Sequence, residues 1–295
     1  MKAKFKSGYV SVIGRPNTGK STIVNYFLKE KLSIVTPRPQ TTRDNILGIL
    51  TTEQYQIIFI DTPGFHRART LLGEHMVRES AKSLHDADAA LLVIESSGFI
   101  DEDIMVLNLL KNYHKPAFLL INKTDLAAKD SLLPLIEKAA GFYPFGEIIP
   151  ISAITGTNMD VLLQKIIDLL PEGPCYYPPD QLSDRQERFF VSEIIREQAL
   201  RYLQEEVPHS VAVMIDDMKD RTPALSYIRA TIFVERDSQK MIIIGKNGRK
   251  IKEIGQESRK RLEKFLNRKV YLDLWAKVSP NWRKNPVFLK SLGLS

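Results

Sequence analysis

Gly14, Arg15, Pro16, Asn17, Thr18, Gly19, Lys20 and Ser21 fit the spacing G-x-x-x-x-G-K-S/T, and they follow directly on the apolar run Val10–Ile13. In a strand–loop–helix setting, inward-pointing backbone N–H groups and the positive end of the helix dipole hold a polyphosphate. Gly14 and Gly19 permit the bend and the close approach to phosphate. Lys20 is placed for the β- and γ-phosphates, the Ser21 hydroxyl for Mg²⁺, and Thr22 continues into the helix. The expected ligand class is a nucleoside triphosphate.

Four further segments narrow that class. Asp61-Thr62-Pro63-Gly64 begins 40 residues after Ser21 at the end of the apolar run Ile57–Ile60. An aspartate there can hold Mg²⁺ through water, and the Gly64 N–H can touch a γ-phosphate whose loss releases the loop. Asn122-Lys123-Thr124-Asp125 follows the run Ala117–Ile121. The Asp125 carboxylate can accept from N1–H and the exocyclic amine of guanine, whereas adenine offers no donor at either place, and the Lys123 stem can lie over the ring. Ser152-Ala153 ends the run Ile148–Ile151 and fits a loop that supports the guanine edge through backbone N–H groups. Gln40-Thr41-Thr42-Arg43-Asp44 occupies a switch position, where one threonine hydroxyl completes the Mg²⁺ shell. Thr42 is favoured over Thr41, and Ser21, Thr42 and Asp61 form the expected metal set.

Phe65 stands where Ras-type enzymes carry a water-orienting glutamine. It has no group for that task, so no catalytic side chain is assigned and slow intrinsic hydrolysis is expected. His66 reads as an exposed loop residue, and the remaining histidines show no metal spacing.

These segments need elements to position them. Apolar runs at Val10–Ile13, Ile46–Thr51, Ile57–Ile60, Ala89–Ile94, Ala117–Ile121 and Ile148–Ile151 read as strands. They alternate with helix-length patterns at Thr22–Lys29, Leu71–His85, Asp101–Tyr113, Ser131–Ala140 and Asn158–Leu170. That alternation predicts an α/β fold with a mainly parallel sheet and ligands at the carboxyl ends of the strands. Residues 171–179 hold four prolines and a glycine, a linker signature. Ser183 and Gln186 have capping-box spacing for a helix to about Gln204. After it come strands at Ser210–Asp216, Leu225–Glu235 and Gln239–Gly245, a helix Arg249–Leu266 and a strand Val270–Val278, a smaller α+β domain. The expected boundaries are 1–172, a linker 173–182, and 183–295.

Of the 295 residues 43% are apolar, yet no run is long enough to span a membrane, and the N-terminus has basic residues without the apolar core of a secretory signal. A single cysteine, Cys175, excludes an internal disulfide and fits a reducing, cytoplasmic location. Residues 1–175 carry 19 basic and 19 acidic side chains, so the net charge of +7 resides entirely in residues 176–295. The segment 246–269 alone holds ten basic and three acidic residues. A polyanionic partner for the second half follows. Within it Gly245-Lys246-Asn247-Gly248 leads into the basic helix with Arg249, Lys250 and Lys252. Two glycines let a loop close on a nucleic-acid backbone, the logic of a KH module.

The combination GRPNTGKST, PQTTRD, DTPGFH, NKTD, SA, SEIIRE, IIIGKNGRKIKEIG and LWAKV resembles the Era family of bacterial GTPases, in which a P-loop G domain is joined to a C-terminal type II KH domain. The resemblance covers nearly the whole chain. It implies GTP as substrate, Mg²⁺ as cofactor, and binding to the 3′ region of 16S ribosomal RNA during 30S subunit assembly, with hydrolysis promoting release. It further implies some peripheral association with the inner membrane, and Asn17 resembles the asparagine that coordinates K⁺ in related GTPases. A monomer is expected, and no DNA partner. Thr18, Phe65 and Asp44 depart mildly from the family's common residues. Two other readings stand beside this one: a GTPase that uses its basic domain as a docking arm in RNA modification or translation, and an RNA binder whose nucleotide is structural.

Overall fold

The computed structural model describes residues 4–36, 38, 41–203 and 207–294. The chain divides into two compact units. The first comprises Met1–Ser33, Thr42–Arg69 and Gly73–Asp184; the second comprises Ile34–Thr41, Thr70–Leu72 and Arg185–Ser295.

The first unit is a six-stranded sheet in the order β2-β3-β1-β4-β5-β6, formed by β1 (Lys6–Ile13), β2 (Ile46–Thr51), β3 (Tyr55–Asp61), β4 (Ala89–Glu95), β5 (Ala117–Asn122) and β6 (Glu147–Pro150). Only β2 runs antiparallel, against β3. The helices are α1 (Lys20–Leu28), α2 (Leu71–Asp86), α3 (Asp101–Leu110), α4 (Leu132–Ala140) and α5 (Met159–Leu169). Every residue of β5 and all but the last of β4 are buried, as expected for parallel strands covered on both faces. Leu92, Ile94, Val106, Leu110, Leu119 and Ile121 form part of one continuous core. The central strand β1 pairs with β3 on one side and β4 on the other, so a crevice opens where Ile13 gives way to Gly14.

The proline-rich segment is fastened rather than free. The buried Gln56 side chain accepts from the N–H groups of Tyr176 and Tyr177 at 2.8 and 3.0 Å and donates to the Tyr177 carbonyl at 2.9 Å. Farther along, Ile49 N–H donates to the Leu182 carbonyl at 2.9 Å, and Ser183 Oγ to the Leu47 carbonyl at 2.6 Å. The expected Ser183–Gln186 capping box gives way to this attachment. Ser183 is engaged by β2, and the next helix starts one residue after Gln186, which makes no side-chain cap.

The second unit contains α6 (Glu187–Tyr202), the hairpin β7 (Ala212–Thr222) and β8 (Leu225–Val234), then α7 (Asp237–Ile244), α8 (Arg249–Leu266), β9 (Lys269–Val278) and α9 (Pro286–Ser291). β9 returns parallel to β8, which requires a crossover, and α7 and α8 supply it. The helix α6 ends at Tyr202, and Gln204 lies outside the described residues.

The expected strand Gln239–Gly245 is instead α7. Gln239 Oε1 reaches back to the N–H groups of Glu235 and Arg236 at 3.0 and 3.1 Å, satisfying donors at a helix start. In the run Met241-Ile242-Ile243, only Ile243 is buried, whereas Met241 and Ile242 are exposed. A short apolar run has no periodicity that separates a strand from a helical turn. Among the described residues, no helix is long and apolar enough to cross a membrane.

Candidate nucleotide-binding site and nucleic-acid interface

The phosphate loop leaves β1 at Gly14 and enters α1 at Lys20, so the helix start faces the loop. Lys20 Nζ donates to the carbonyls of Gly14 and Arg15 at 3.1 and 2.8 Å, spanning the loop it is expected to serve. The amine is buried, and that burial pushes it down from 10.5 to about 8, against the opposing pull of the Asp61 carboxylate. Thr18 Oγ1 donates to the Arg15 carbonyl at 3.2 Å, and the Asn17 backbone is left-handed with φ 66°.

Asp61 ends β3 and is fully buried, with neither carboxylate oxygen in a well-formed hydrogen bond among the described residues. Desolvation raises its carboxyl above the usual range, opposed by the Ser21 and Ser33 hydroxyls and by Lys20. Ser21 Oγ and Thr42 Oγ1 lie 3.0 Å apart. A buried carboxylate short of partners beside two hydroxyls is an all-oxygen donor set, which fits a hard divalent cation that keeps several phosphate and water ligands. Thr41 points elsewhere: its hydroxyl lies 2.9 Å from Thr36 Oγ1 and donates to the Arg38 carbonyl at 2.6 Å. Its own carbonyl accepts from the Arg196 guanidinium. The structure thus brings Thr42, and not Thr41, to Ser21. Arg43 and Asp44 are buried, with Asp44 Oδ1 3.6 Å from His75 Nε2, while Gln40 lies outside the described residues.

The segment after Asp61 is anchored by its side chains. Thr62 Oγ1 donates to the Val12 carbonyl and the Pro63 carbonyl accepts from Ser80 Oγ, both at 2.8 Å. Phe65 N–H donates to the Gly14 carbonyl at 3.1 Å, and its ring is buried in the first unit's core. His66 Nδ1 donates to the Gly64 carbonyl at 3.0 Å, a local loop contact.

At the ends of β5 and β6, Asn122 Nδ2 donates to the Thr18 carbonyl at 2.8 Å, and its Oδ1 accepts from the Ala153 N–H at 3.1 Å. Asp125 is exposed, and its Oδ1 accepts from Ser152 Oγ at 2.6 Å. Ser152 therefore orients the Asp125 carboxylate with its side chain, a contact beyond the backbone support expected of it. Lys123 is paired with Glu95, which also binds Arg15 at 2.9 Å; Arg15 in turn meets the buried Asp103 at 3.3 Å. Sequence reasoning misses Glu95 and Asp103. The available signal was Glu95 itself, a lone charge at the carboxyl end of an apolar strand.

In the second unit, Gly245 to Gly248 form a tight loop between α7 and α8. Gly245, Asn247 and Gly248 all have positive φ, of 71°, 51° and 73°. A Cβ at Gly245 would lie 2.7 Å from Lys250 Cβ, whereas nothing lies within 4 Å of one at Gly248. Open space at Gly248 leaves room for a ligand backbone. Lys246, Asn247, Arg249 and Lys252 are exposed and Lys250 half-buried. Arg249 pairs with Glu253 at 3.0 Å, while Lys246, Lys250 and Lys252 have no carboxylate partner among the described residues.

A family model described as 50S ribosome-binding GTPase matches residues 9–123, and one described as KH domain matches residues 206–283. GTPase Era of Clostridium beijerinckii is 48% identical over 290 residues, covering 98% of this chain and 97% of that protein. The Clostridium novyi counterpart is 49% identical over 290 residues, covering 98% of this chain and 99% of its own. The chain belongs to the Era GTPase family. Among solved structures, Era in complex with MgGDPNP and nucleotides 1506–1542 of 16S ribosomal RNA superposes with a TM-score of 0.94 at 40% identity, covering 99% of both chains. A tyrosine-to-alanine variant of Aquifex aeolicus Era bound to GDP and aluminium fluoride gives the same score and identity, covering 99% of this chain and 100% of that one. The Era fold thus accounts for both units, with a mostly parallel G-domain sheet and a C-terminal KH domain.

Proposed function

We propose that this chain is a GTP-hydrolysing, RNA-binding switch that binds small-subunit ribosomal RNA near its 3′ end and serves assembly of the 30S particle. The observation that carries this reading is the conjunction, in a chain 48% identical to GTPase Era over 290 residues, of an exposed Asp125 held by Ser152 and a glycine-flanked loop opening a basic helix. Residues 1–172 are assigned to GTP binding and 183–295 to RNA binding. Residues 173–182 form the connection, fastened at Gln56.

In this reading, residues Gly14 to Thr22 and Gly64 surround the phosphates. Asn122, Lys123, Asp125, Ser152 and Ala153 form the guanine pocket, and Gln40 to Asp44 and Asp61 to Phe65 are the two switch segments. Ser21, Thr42 and Asp61 would hold Mg²⁺, which when bound neutralises charge on the β- and γ-phosphate oxygens. Lys20 adds a desolvated positive charge beside the same oxygens, where it acts more strongly than in water. Phe65, packed in the core, leaves the attacking water without a side-chain partner from that position, so intrinsic turnover is slow. The exposed Asn17 is assigned to a K⁺ site, and equal turnover in potassium and sodium buffers would count against it.

Gly245 to Lys250 and Lys252 clamp the RNA backbone. The proposed location is cytoplasmic and the state monomeric, with peripheral contact with the inner membrane as a lesser property. Single-turnover GTP hydrolysis, with and without small-subunit RNA, tests the switch; stimulation by RNA is expected, and absence of turnover in both would leave the nucleotide structural. Crosslinking of cellular RNA to the purified protein is expected to recover the 3′ end of small-subunit RNA. Recovery of transfer or messenger RNA instead would overturn the partner.

A further inference from the structure

The sheet β7-β8-β9 packs one face into the second unit's core, and α9 covers one end of the opposite face. Leu272, Leu274, Ala276 and Val278 pack into the second unit's core, so the alternate residues of β9 line the opposite face. There Tyr271 is 58% exposed and Trp275 55% exposed, four residues and so about 13 Å apart along the strand. Tyr271 stacks on its cross-strand neighbour Tyr227, with ring centroids 5.8 Å apart and planes inclined by 16°.

Cations gather on this stack. The Arg221 guanidinium lies 4.6 Å from the Tyr227 centroid and 5.8 Å from that of Tyr271, and Lys219 and Arg229 approach Tyr227 at 5.5 and 5.8 Å. Lys219 is neutralised by Asp217 at 2.9 Å and Arg229 by Asp273 at 3.3 Å. Arg221 has no carboxylate partner among the described residues. A guanidinium placed over aromatic rings keeps its N–H groups for a phosphate. At the other end of the face Phe288 of α9 packs on Phe233, with centroids 5.1 Å apart, so the open portion is the aromatic and cationic one.

We propose that this open sheet face is a second RNA-contacting surface, separate from the glycine-flanked loop. Unpaired bases stack on Tyr271 and Trp275 while Arg221 holds a phosphate at the Tyr271 end of the face. The proposal rests on the reading of the second unit as RNA-binding. Charge complementarity selects the occupant: exposed aromatic faces beside an uncompensated arginine suit single-stranded nucleic acid, which supplies a π-face and a charge with every nucleotide.

The two tryptophans make the test direct, because Trp282 is fully buried and Trp275 is not. Full-length protein is titrated with a single-stranded RNA of about four nucleotides, the length a KH loop clamps, and with one of about sixteen. The longer RNA is expected to quench tryptophan emission. A Tyr271→Ala, Trp275→Ala double variant should lose affinity for it by tenfold to a hundredfold, on the order of one to two stacked bases. Affinity for the shorter RNA should be unchanged, and Tyr271→Phe with Trp275→Phe should restore the longer one. If the double variant binds the longer RNA as wild type does, the proposal is overturned while the loop reading stands. If it weakens binding to 30S particles but not to naked RNA, the face meets a ribosomal protein and the proposal is likewise overturned. Wild type that binds neither RNA would overturn the RNA reading itself, and this surface with it.

Discussion

Asn122 donates to the Thr18 carbonyl at 2.8 Å while accepting from Ala153, so one buried side chain fastens the phosphate loop to the loops at the ends of β5 and β6. Asn122→Ala leaves a buried carbonyl and a buried N–H unpaired, each a loss of about 1–3 kcal/mol. GTP and GDP affinity should fall together, by tenfold or more, because the tie does not touch the γ-phosphate. Titration calorimetry with both nucleotides checks this, and a selective loss of GTP would contradict it.

Asp125 faces solvent with one oxygen held by Ser152. Asp125→Asn replaces an acceptor with a donor at the guanine edge. GTP affinity should drop by at least a hundredfold and xanthosine triphosphate should become the better ligand. Ser152→Ala removes the orienting hydrogen bond and the one Ser152 Oγ accepts from the Thr155 N–H at 3.2 Å, and should cost about tenfold, which equilibrium competition between the two nucleotides would measure.

Lys20 gives the ligand-free protein a pH signature. Its folded value of about 8 lies below the unfolded 10.5, so the unfolded chain binds the extra proton between those limits. Stability therefore rises with pH across that window, recovering on the order of 3 kcal/mol of burial cost that is present in full below pH 8. Nucleotide binding brings an anion to the amine, so at pH 9 it should take up a proton and lose affinity as pH rises further. Chemical denaturation at several pH values reads the first effect, and calorimetry in buffers of different ionisation enthalpy reads the second. Lys20→Met should raise ligand-free stability at pH 7 while impairing triphosphate binding.

The two glycines of the RNA loop should fail differently. Gly248→Asp places a carboxylate into open space on a left-handed backbone, costing about 1–2 kcal/mol in stability. Filter binding should show RNA affinity lost by a hundredfold or more with GTP affinity unchanged. Gly245→Ala brings a Cβ to 2.7 Å from Lys250 Cβ and should disturb the start of α8 itself, visible as a lower Tm.

Several candidate nucleotide-site segments stood out in the sequence because they sit where an apolar strand ends, a pattern that survives without tertiary knowledge. Gly14, Asp61, Asn122 and Ser152 all follow such runs, and the fold brings them to the carboxyl ends of parallel strands. What was not legible depended on partners far apart in sequence. Glu95 gains meaning only beside Arg15 and Lys123, and Ser183 looked like a cap until β2 claimed its hydroxyl. The α7 segment failed for a local reason: a run of four apolar residues fits a strand or a turn of helix equally, and the Gln239 side chain decided it.

The attachment of Leu182 and Ser183 to β2 bears on solubility. β2 is the outermost strand of its sheet, and an uncovered edge offers its N–H and C=O groups as a template for a second molecule. Residues 182 and 183 occupy part of that edge, and Pro178 and Pro179 just before them lack the N–H groups needed to extend a ladder outward. A fragment of the first unit cut at Pro171 would expose that edge and self-associate, whereas one carried through Asp184 would keep its own guard.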